Sequence, residues 1–471
     1  MKILYYYWTQ YNDNLPGGGV KVYLKNIINY FKTNPDVEIY CLSSGTEYDF
    51  SKQLYCKCIN NESDIKQFEI VNSPILAPSK ASFYEIETYL SDIRLKRLLK
   101  EFIEKYGPFD VIHIQSIEGL SIKILELKEN FPKTKFILSL HNYHYFCPQV
   151  NLWRNDNSNC VDFENGKACL NCLGYFPKSN NIRNLYILNH YLKNLGFKNK
   201  IQDLKNVLKK IYFFRKNKNI ENQLYLQKHD YKEFLNFRKK NIEYINKYAD
   251  VVLCVSKRVK NIAVNMGIKD YKIVVSYIGT AFADNAINQT RYINSNDNIF
   301  KIAYMGYMRK DKGLYFLVEA LEVLDEKVAK NINIVIAAKF EDMDLVNKII
   351  QLKKKFYNIE LFNGYTHQDI PKITKDLSLG IVPVMWEDCL PQVAIEFKAM
   401  GIPVLASNLG GASELTEAEE FCFNAGDKDD FIKHLLLFYN DRSLLNKYYD
   451  KHLKLKTIKE HCDELKKYYK R

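Results

Sequence analysis

Along the first 150 residues, short apolar runs alternate with stretches in which apolar positions recur every three or four residues. Lys2–Trp8 reads as a strand. In Val20–Phe31 the residues Val20, Leu24, Ile27, Ile28 and Phe31 share one face, which predicts an amphipathic helix. Val37–Leu42, Val111–Ile114 and Phe136–Leu140 read as further strands, with helices over Tyr89–Tyr106 and around Ile122–Glu129. Strands so short and so uniformly apolar need cover on both faces, and their alternation with helices predicts a parallel sheet. The stretch 143–175 is loop-like and rich in cysteine. Asn181–Tyr248 is helical in pattern, and Val251–Val255 and Lys272–Ile278 resume the strand pattern. Asp284–Asn298 is polar and aperiodic, as a linker would be.

A second alternating array follows. Its strands are Ile302–Met305, Ile332–Ala337, Ile359–Phe362, Leu379–Val382 and Val404–Ala406. Helices are expected at Leu314–Leu324, Asp344–Phe356, Asp369–Leu377 and Gln392–Met400, and the tail from Asp427 is helical. The predicted organisation is a first domain over 1–284, a linker over 285–298, a second domain over 299–445 and a basic helix over 446–471. The first domain would carry the cysteine-rich loop and a basic helical insertion over 178–248. Two open α/β sheets joined by a linker imply a cleft, because such sheets bind ligands beyond the carboxyl ends of their strands.

Composition narrows the class. The chain of 471 residues is 47% hydrophobic and 26% charged, with 19 Gly and 12 Pro, which fits globular domains and excludes collagen-like or wholly disordered chains. No apolar run approaches the ~18 residues of a membrane span. The opening residues lack the apolar stretch and small-residue cleavage site of a signal peptide, so a cytoplasmic protein is expected. The net charge of +13 is concentrated: Lys178–Tyr248 holds 17 Lys and Arg against 5 Asp and Glu. A segment so basic and so rich in Tyr, Phe and Leu suits an anionic partner, such as lipid headgroups at the inner face of a membrane, a lipid-linked pyrophosphate or nucleic acid. An ordinary helical subdomain with solvated lysines fits the same pattern. Four of the 11 cysteines, Cys147, Cys160, Cys169 and Cys172, fall within 26 residues. They have the ligand count of a structural zinc site, with Cys169 and Cys172 as a chelating pair; unligated thiols are the alternative. No open set of His and carboxylate ligands accompanies them, so a catalytic metal is not expected.

Four motifs could carry chemistry. Pro16-Gly17-Gly18-Gly19 lies between the first strand and first helix, where close backbone approach and a helix start suit a phosphate. His141 ends the Phe136–Leu140 strand and would reach the cleft. Gly306-Tyr307-Met308-Arg309-Lys310-Asp311-Lys312-Gly313 follows another strand and brings cations suited to a diphosphate. Finally, Glu387-Asp388-Cys389-Leu390-Pro391-Gln392-Val393 leads into a helix bearing Glu396. This pairs loop acids for hydroxyl groups with free N–H groups for a phosphate, which is the chemistry a nucleotide sugar needs.

The order of Gly17-Gly18-Gly19, Asp110-Val111-Ile112-His113, His141, Ser256, Lys312-Gly313, Asp388-x7-Glu396 and Gly401-x-Pro403-Val404 resembles the retaining glycosyltransferases of family 4, the glycosyl transferases group 1 type. The resemblance covers roughly Met1–Cys172 and Ala249–Phe423. It implies a GT-B fold of two Rossmann-like domains facing a cleft, and transfer of a sugar from a UDP- or GDP-type donor to a glycan or lipid-linked acceptor, as in surface polysaccharide biosynthesis. It further implies that Gly18 and Gly19 face a phosphate, His141 the transferred sugar, Lys312 the donor diphosphate and Glu396 the ribose. Leu390, Pro391, Gln392 and Val393 would form the helix start under the phosphate. Retention is attributed in this family to front-face attack, with the donor phosphate taking the acceptor's proton and no cofactor required for catalysis. Two departures stand out. Asp388 occupies the position of the usual first Glu, with Glu387 a rival one residue earlier. Tyr307 replaces an Arg, a cation that Arg309 could supply. A nucleotide-sugar epimerase is the nearest alternative. A nucleic-acid-binding module built on the basic insertion is disfavoured, since it leaves both α/β arrays without a role.

Overall fold

The structure is a computed structural model that describes residues 1–12, 18–61, 65–173, 178–194, 230–284, 299–416, 418–450 and 455–470. The first lobe is built on an eight-stranded sheet. Its strands in chain order are β1 (Lys2–Tyr6), β2 (Glu38–Glu47), β3 (Tyr55–Asn61), β4 (Ile65–Val71), β5 (Val111–Ile114), β6 (Lys135–Leu140), β9 (Val251–Cys254) and β10 (Ile273–Val275). They lie side by side in the order β10-β9-β6-β5-β1-β2-β4-β3. All pairs are parallel except β3 on β4, where the polar edge strand turns back antiparallel. Between β6 and β9, β7 (Trp153–Arg154) and β8 (Ser158–Asn159) form a small separate hairpin inside the cysteine-rich loop.

The second lobe holds six parallel strands: β11 (Phe300–Gly306), β12 (Ile332–Ala338), β13 (Asn358–Asn363), β14 (Leu379–Val382), β15 (Val404–Ser407) and β16 (Cys422–Phe423). Their order is β13-β12-β11-β14-β15-β16. In both sheets the chain reverses direction of growth at the centre, between β1 and β5 and between β11 and β14. At such a switch point the connections leave on opposite faces and a crevice opens beyond the strand ends. The α/β class and the two Rossmann-like sheets therefore stand as predicted.

Several elements differ from expectation for physical reasons. The long helix expected over Tyr89–Tyr106 is two, Ile86–Ser91 and Arg94–Tyr106. The Asp92 carboxylate accepts from the backbone N–H groups of Arg94 at 3.0 Å and Leu95 at 3.1 Å, which caps the second helix and breaks the first. Strand β2 runs on to Glu47 through Ser43, Ser44, Gly45 and Thr46, because pairing with β4 satisfies a polar stretch that hydropathy alone reads as loop.

The tail also differs. Instead of one helix over 446–471, there are helices Ser443–Asp450 and Ile458–Tyr469. The last helix returns to the first lobe. Its Ile458, Cys462, Leu465 and Tyr469 share a core with Ile3, Tyr5, Tyr23, Leu24, Ile27, Ile28 and Phe31.

Of the basic segment, helices Ser179–Asn194 and Tyr231–Tyr248 are described. The first is held to the lobe by Arg183, which reaches Glu85 at 2.9 Å and the Pro74 carbonyl at 2.6 Å. The second buries Phe234, Phe237 and Ile245, and its Tyr244 hydroxyl donates to Glu126 at 2.6 Å. An apolar stripe packed this way on the lobe is structural. The middle of the insertion, including Lys209, Lys210, Arg215 and Lys216, lies outside the described residues, as does the linker over 285–298.

Candidate functional site

The residues singled out above come from loops at the carboxyl ends of the central strands. Gly18 and Gly19 follow β1, His141 follows β6, the segment 306–313 follows β11 and 383–396 follows β14. The two lobes touch here. The Gln392 amide donates to the Gly19 carbonyl at 2.8 Å, and a Cβ on Gly19 would fall 2.6 Å from that side chain. Gly19 is thus the place where the first helix meets the start of helix Gln392–Ala399. Gly17 lies outside the described residues. Pro391, at the N-cap, offers no side-chain acceptor; among the first N–H groups of the helix that of Ala394 bonds the Pro391 carbonyl at 3.1 Å, and no side-chain cap serves the others among the described residues.

The second lobe supplies the charges. Lys312 Nζ lies 2.5 Å from Asp388 Oδ2 and 4.9 Å from the centre of the Trp386 ring. Gly313 holds this geometry: its φ is +82°, and a Cβ there would come 1.7 Å from the Pro383 carbonyl. The loop after β11 is thereby pressed onto the loop after β14. Gly410 does the same on the other side, with φ +66° and a virtual Cβ 2.0 Å from the Asp388 carbonyl.

Glu387 and Asp388 are adjacent but differently engaged. Glu387 is buried and accepts from Arg258 Nε at 2.8 Å, Arg258 Nη2 at 2.5 Å and the Gly410 N–H at 3.0 Å. It ties the second lobe to helix Lys257–Asn265 of the first. Asp388 is the acid that meets Lys312. Arg309 is engaged elsewhere: one edge of its guanidinium, Nε and Nη2, pairs with the buried Asp311, with Nε donating at 2.9 Å.

Glu396 is 5% exposed, and its Oε2 finds no partner among the described residues. Its Oε1 lies 3.6 Å from His367 Nε2, and this carboxylate raises the His367 pKa above the usual imidazole value. Both residues line a cavity of about 250 Å³, together with Tyr23, Asn26, Thr280 and Phe282. A buried carboxylate oxygen without a donor, beside a cavity, can accept from a ligand hydroxyl.

On the first lobe, His141 Nε2 is 2.9 Å from Gln115 Oε1, and the ring packs 4.8 Å from that of Tyr23. Burial, aided by His461, pushes its pKa down to about 3, so the imidazole is neutral at physiological pH. His144 is turned away into the lobe, with Nδ1 2.8 Å from Ser79 Oγ. Leu390 is buried and Val393 half-buried, as packing residues of the helix start.

The cysteine cluster corrects an expectation. Cys147, Cys169 and Cys172 are buried in one core, yet among the described residues no three His, Cys, Asp or Glu side chains are arranged to hold a metal ion. The sulfurs are engaged within the protein. Arg238 Nη2 donates to Cys169 Sγ at 3.2 Å, and Gln149 Nε2 to Cys172 Sγ at 3.0 Å. Burial raises the thiol pKa of Cys147, of Cys160 to about 11 and of Cys172 to about 12. The set does not fit zinc as it stands.

Sequence reasoning missed Arg258, His367 and Gln115, and gave Glu414 no role of its own. Glu414 accepts from the N–H groups of Lys257 at 2.9 Å and Arg258 at 2.6 Å and from the Tyr277 hydroxyl at 2.5 Å, a second tie between the lobes. Arg258 and Glu414 gain their partners across the cleft, whereas Gln115 meets His141 within the first lobe and His367 meets Glu396 within the second. No spacing signal could have marked them.

Residues 287–454 match the family described as glycosyl transferases group 1. The chain is 26% identical over 191 residues to the uncharacterized glycosyltransferase MJ1607 of Methanocaldococcus jannaschii, a match covering 38% of this chain and 47% of that protein. The chain thus spans about half the length of this curated relative. Among solved structures, sucrose-phosphate synthase from Thermosynechococcus elongatus is 13% identical with a TM-score of 0.61, covering 99% of this chain and 98% of that one. Anabaena Alr3699/HepE, solved in complex with UDP and glucose, is 14% identical with a TM-score of 0.55, covering 99% of both chains. These likenesses establish the GT-B fold.

Proposed function

We propose, from the match of residues 287–454 to the glycosyl transferases group 1 family, that this chain is a glycosyltransferase moving a sugar, with retention, from a nucleoside-diphosphate sugar to a glycan or lipid-linked acceptor in surface polysaccharide assembly. The observation that carries the reading is the arrangement at the head of helix Gln392–Ala399. The loop before it holds Asp388 against Lys312, its N-cap Pro391 makes no side-chain cap, and Glu396 on it keeps a buried oxygen without a partner among the described residues.

Each group has a task in that reaction. Lys312 and the first N–H groups of the helix stabilise the departing diphosphate. Asp388 keeps Lys312 in place and accepts from a sugar hydroxyl. Glu396 Oε2 accepts from a ribose hydroxyl. His141, neutral, contacts the transferred sugar. The acceptor oxygen forms the new bond to the anomeric carbon as the bond to the diphosphate oxygen breaks. The acceptor's proton passes to that phosphate oxygen, so no protein base is needed. UDP is the first nucleotide to test, since UDP occupies the similar HepE fold. The basic insertion would bring the cleft to the anionic inner face of a membrane, and co-sedimentation with anionic vesicles tests that part.

Calorimetry with UDP, GDP and a neutral sugar, followed by a donor-hydrolysis screen, tests the whole. Nucleoside diphosphate binding that is lost in Lys312→Ala and Glu396→Gln is expected. Binding of oligonucleotides alone would overturn the reading, and accumulation of an epimerised nucleotide sugar would replace transfer with epimerisation.

A further inference from the structure

Gln115 follows β5 at its carboxyl end and is fully buried. Its backbone N–H bonds the Tyr6 carbonyl at 2.9 Å, which fixes the residue in the sheet. Its side chain does something else. Oε1 meets His141 Nε2 at 2.9 Å, while its own Nε2 is buried with no partner among the described residues. An unpaired buried amide is destabilising, and an apolar side chain of similar shape would avoid that cost. The fold tolerates the penalty and sets a carbonyl oxygen against one nitrogen of His141.

The surroundings of that ring are unusual for a histidine beside a reaction centre. The titratable groups packed near it are His113 on β5, Tyr23 on helix Gly18–Phe31 and His461 on the last helix. Each has its own partner. His113 Nδ1 meets the Tyr469 hydroxyl at 2.7 Å and its Nε2 meets Ser139 Oγ at 2.8 Å, while the Tyr23 hydroxyl meets His461 Nε2 at 2.8 Å. Among the described residues no carboxylate pairs with His141. A carboxylate at the position of Oε1 would favour the imidazolium, whereas an amide cannot take a proton or supply a charge.

We infer that Gln115 is a positioning residue: it holds His141 as a neutral ring protonated on Nε2, leaving Nδ1 as a fixed acceptor for a hydroxyl of the transferred sugar. This rests on the proposed placement of the sugar against His141. Gln115 accepts the Nε2 proton, the Tyr23 ring braces one side, and burial keeps a second proton off. His141 then orients the sugar without titrating.

The test has two parts on the full chain. In the first, 15N-histidine NMR is recorded without substrate, with His141→Ala to assign the signal. Nε2 protonated, Nδ1 unprotonated and no titration between pH 5 and 8 are expected. In Gln115→Glu the ring should gain a second proton, with a pKa above the ordinary ~6.5. A wild-type ring that carries its proton on Nδ1, or that titrates near 6.5, would overturn the inference. In the second part, donor hydrolysis is followed for Gln115→Met and Gln115→Glu. Gln115→Met should fold at least as stably as the parent yet lose about tenfold or more in kcat, with KM for the donor within about threefold. Gln115→Glu should acquire an inflection in its pH profile that the parent lacks. Unchanged kcat and a flat profile in both variants would also overturn it. If the parent turns over no nucleotide sugar, the glycosyl-transfer reading fails, while the NMR result still decides the state of His141.

Discussion

Replacing Lys312 by Met tests the anion site most directly, because its effect can be worked from the Lys312–Asp388 pair. Lys312 Nζ lies 2.5 Å from Asp388 Oδ2, with the carboxylate 10% and the lysine 24% exposed. A diphosphate oxygen bonded to the far side of Nζ would sit roughly 5 Å from the Asp388 oxygen, at ordinary hydrogen-bond lengths. With the lysine present its charge offsets that repulsion. Without it, two anions face each other at ~5 Å, a penalty of about 3 kcal/mol at an effective dielectric of ~20. The lost charge-assisted hydrogen bond adds about 1.5–3 kcal/mol. The lysine side chain is a quarter exposed, so water entering the vacated space screens a large part of both contributions. A net loss of about 2–3 kcal/mol remains, or roughly 30- to 150-fold in nucleoside diphosphate affinity. Neutralising the acid as well removes the repulsive share, so Lys312→Met with Asp388→Asn should bind within about tenfold of the parent. Isothermal calorimetry at two salt concentrations measures both. A Lys312→Met protein that binds within about threefold of the parent, or a double variant no better than the single, would refute the reasoning.

Three further outcomes follow from the same geometry. Arg258→Met leaves the Glu387 carboxylate, 6% exposed, with the Gly410 N–H at 3.0 Å and the Asn159 amide at 3.4 Å as its donors; since Arg258 itself is 44% exposed, the loss should be about 1.5–3 kcal/mol by chemical denaturation, largely restored in Arg258→Met with Glu387→Met. His367 has a pKa raised by Glu396, so its contribution to stability is complete below the unfolded value near ~6.5 and fades as pH rises through the higher folded value; a melting-temperature profile should show this loss in the parent and not in His367→Gln. Leu465→Ala on the last helix removes a fully buried side chain and should cost about 2–5 kcal/mol, with hydrogen exchange accelerating in helix Gly18–Phe31 of the first lobe rather than in the second.

Much of the architecture was legible along the chain. Apolar runs of four to seven residues such as Val111–Ile114 and Ile332–Ala338 demand burial on both faces, and the helices between them can only cross over, so parallel sheets follow from local pattern. The positions of Lys312, Asp388, Glu396 and His141 at strand ends were legible for the same reason, since loops at the carboxyl ends of parallel strands converge. Edge strand β3, the polar extension of β2 and the break at Asp92 were not, because each depends on a hydrogen-bonding partner and not on hydropathy.

What the tertiary structure decided is which charges are already engaged. Spacing to Glu396 favours Asp388 over Glu387 but does not say what either acid meets; Arg258, 129 residues earlier, claims one and Lys312 claims the other. Likewise Arg309 pairs with Asp311, and the tail returns to bury Leu465 and Tyr469 beside Tyr5. Local sequence determines where the chain is buried and how its backbone bonds are satisfied. The pairing of polar side chains across a cleft is set by distances that exist only once two lobes have met.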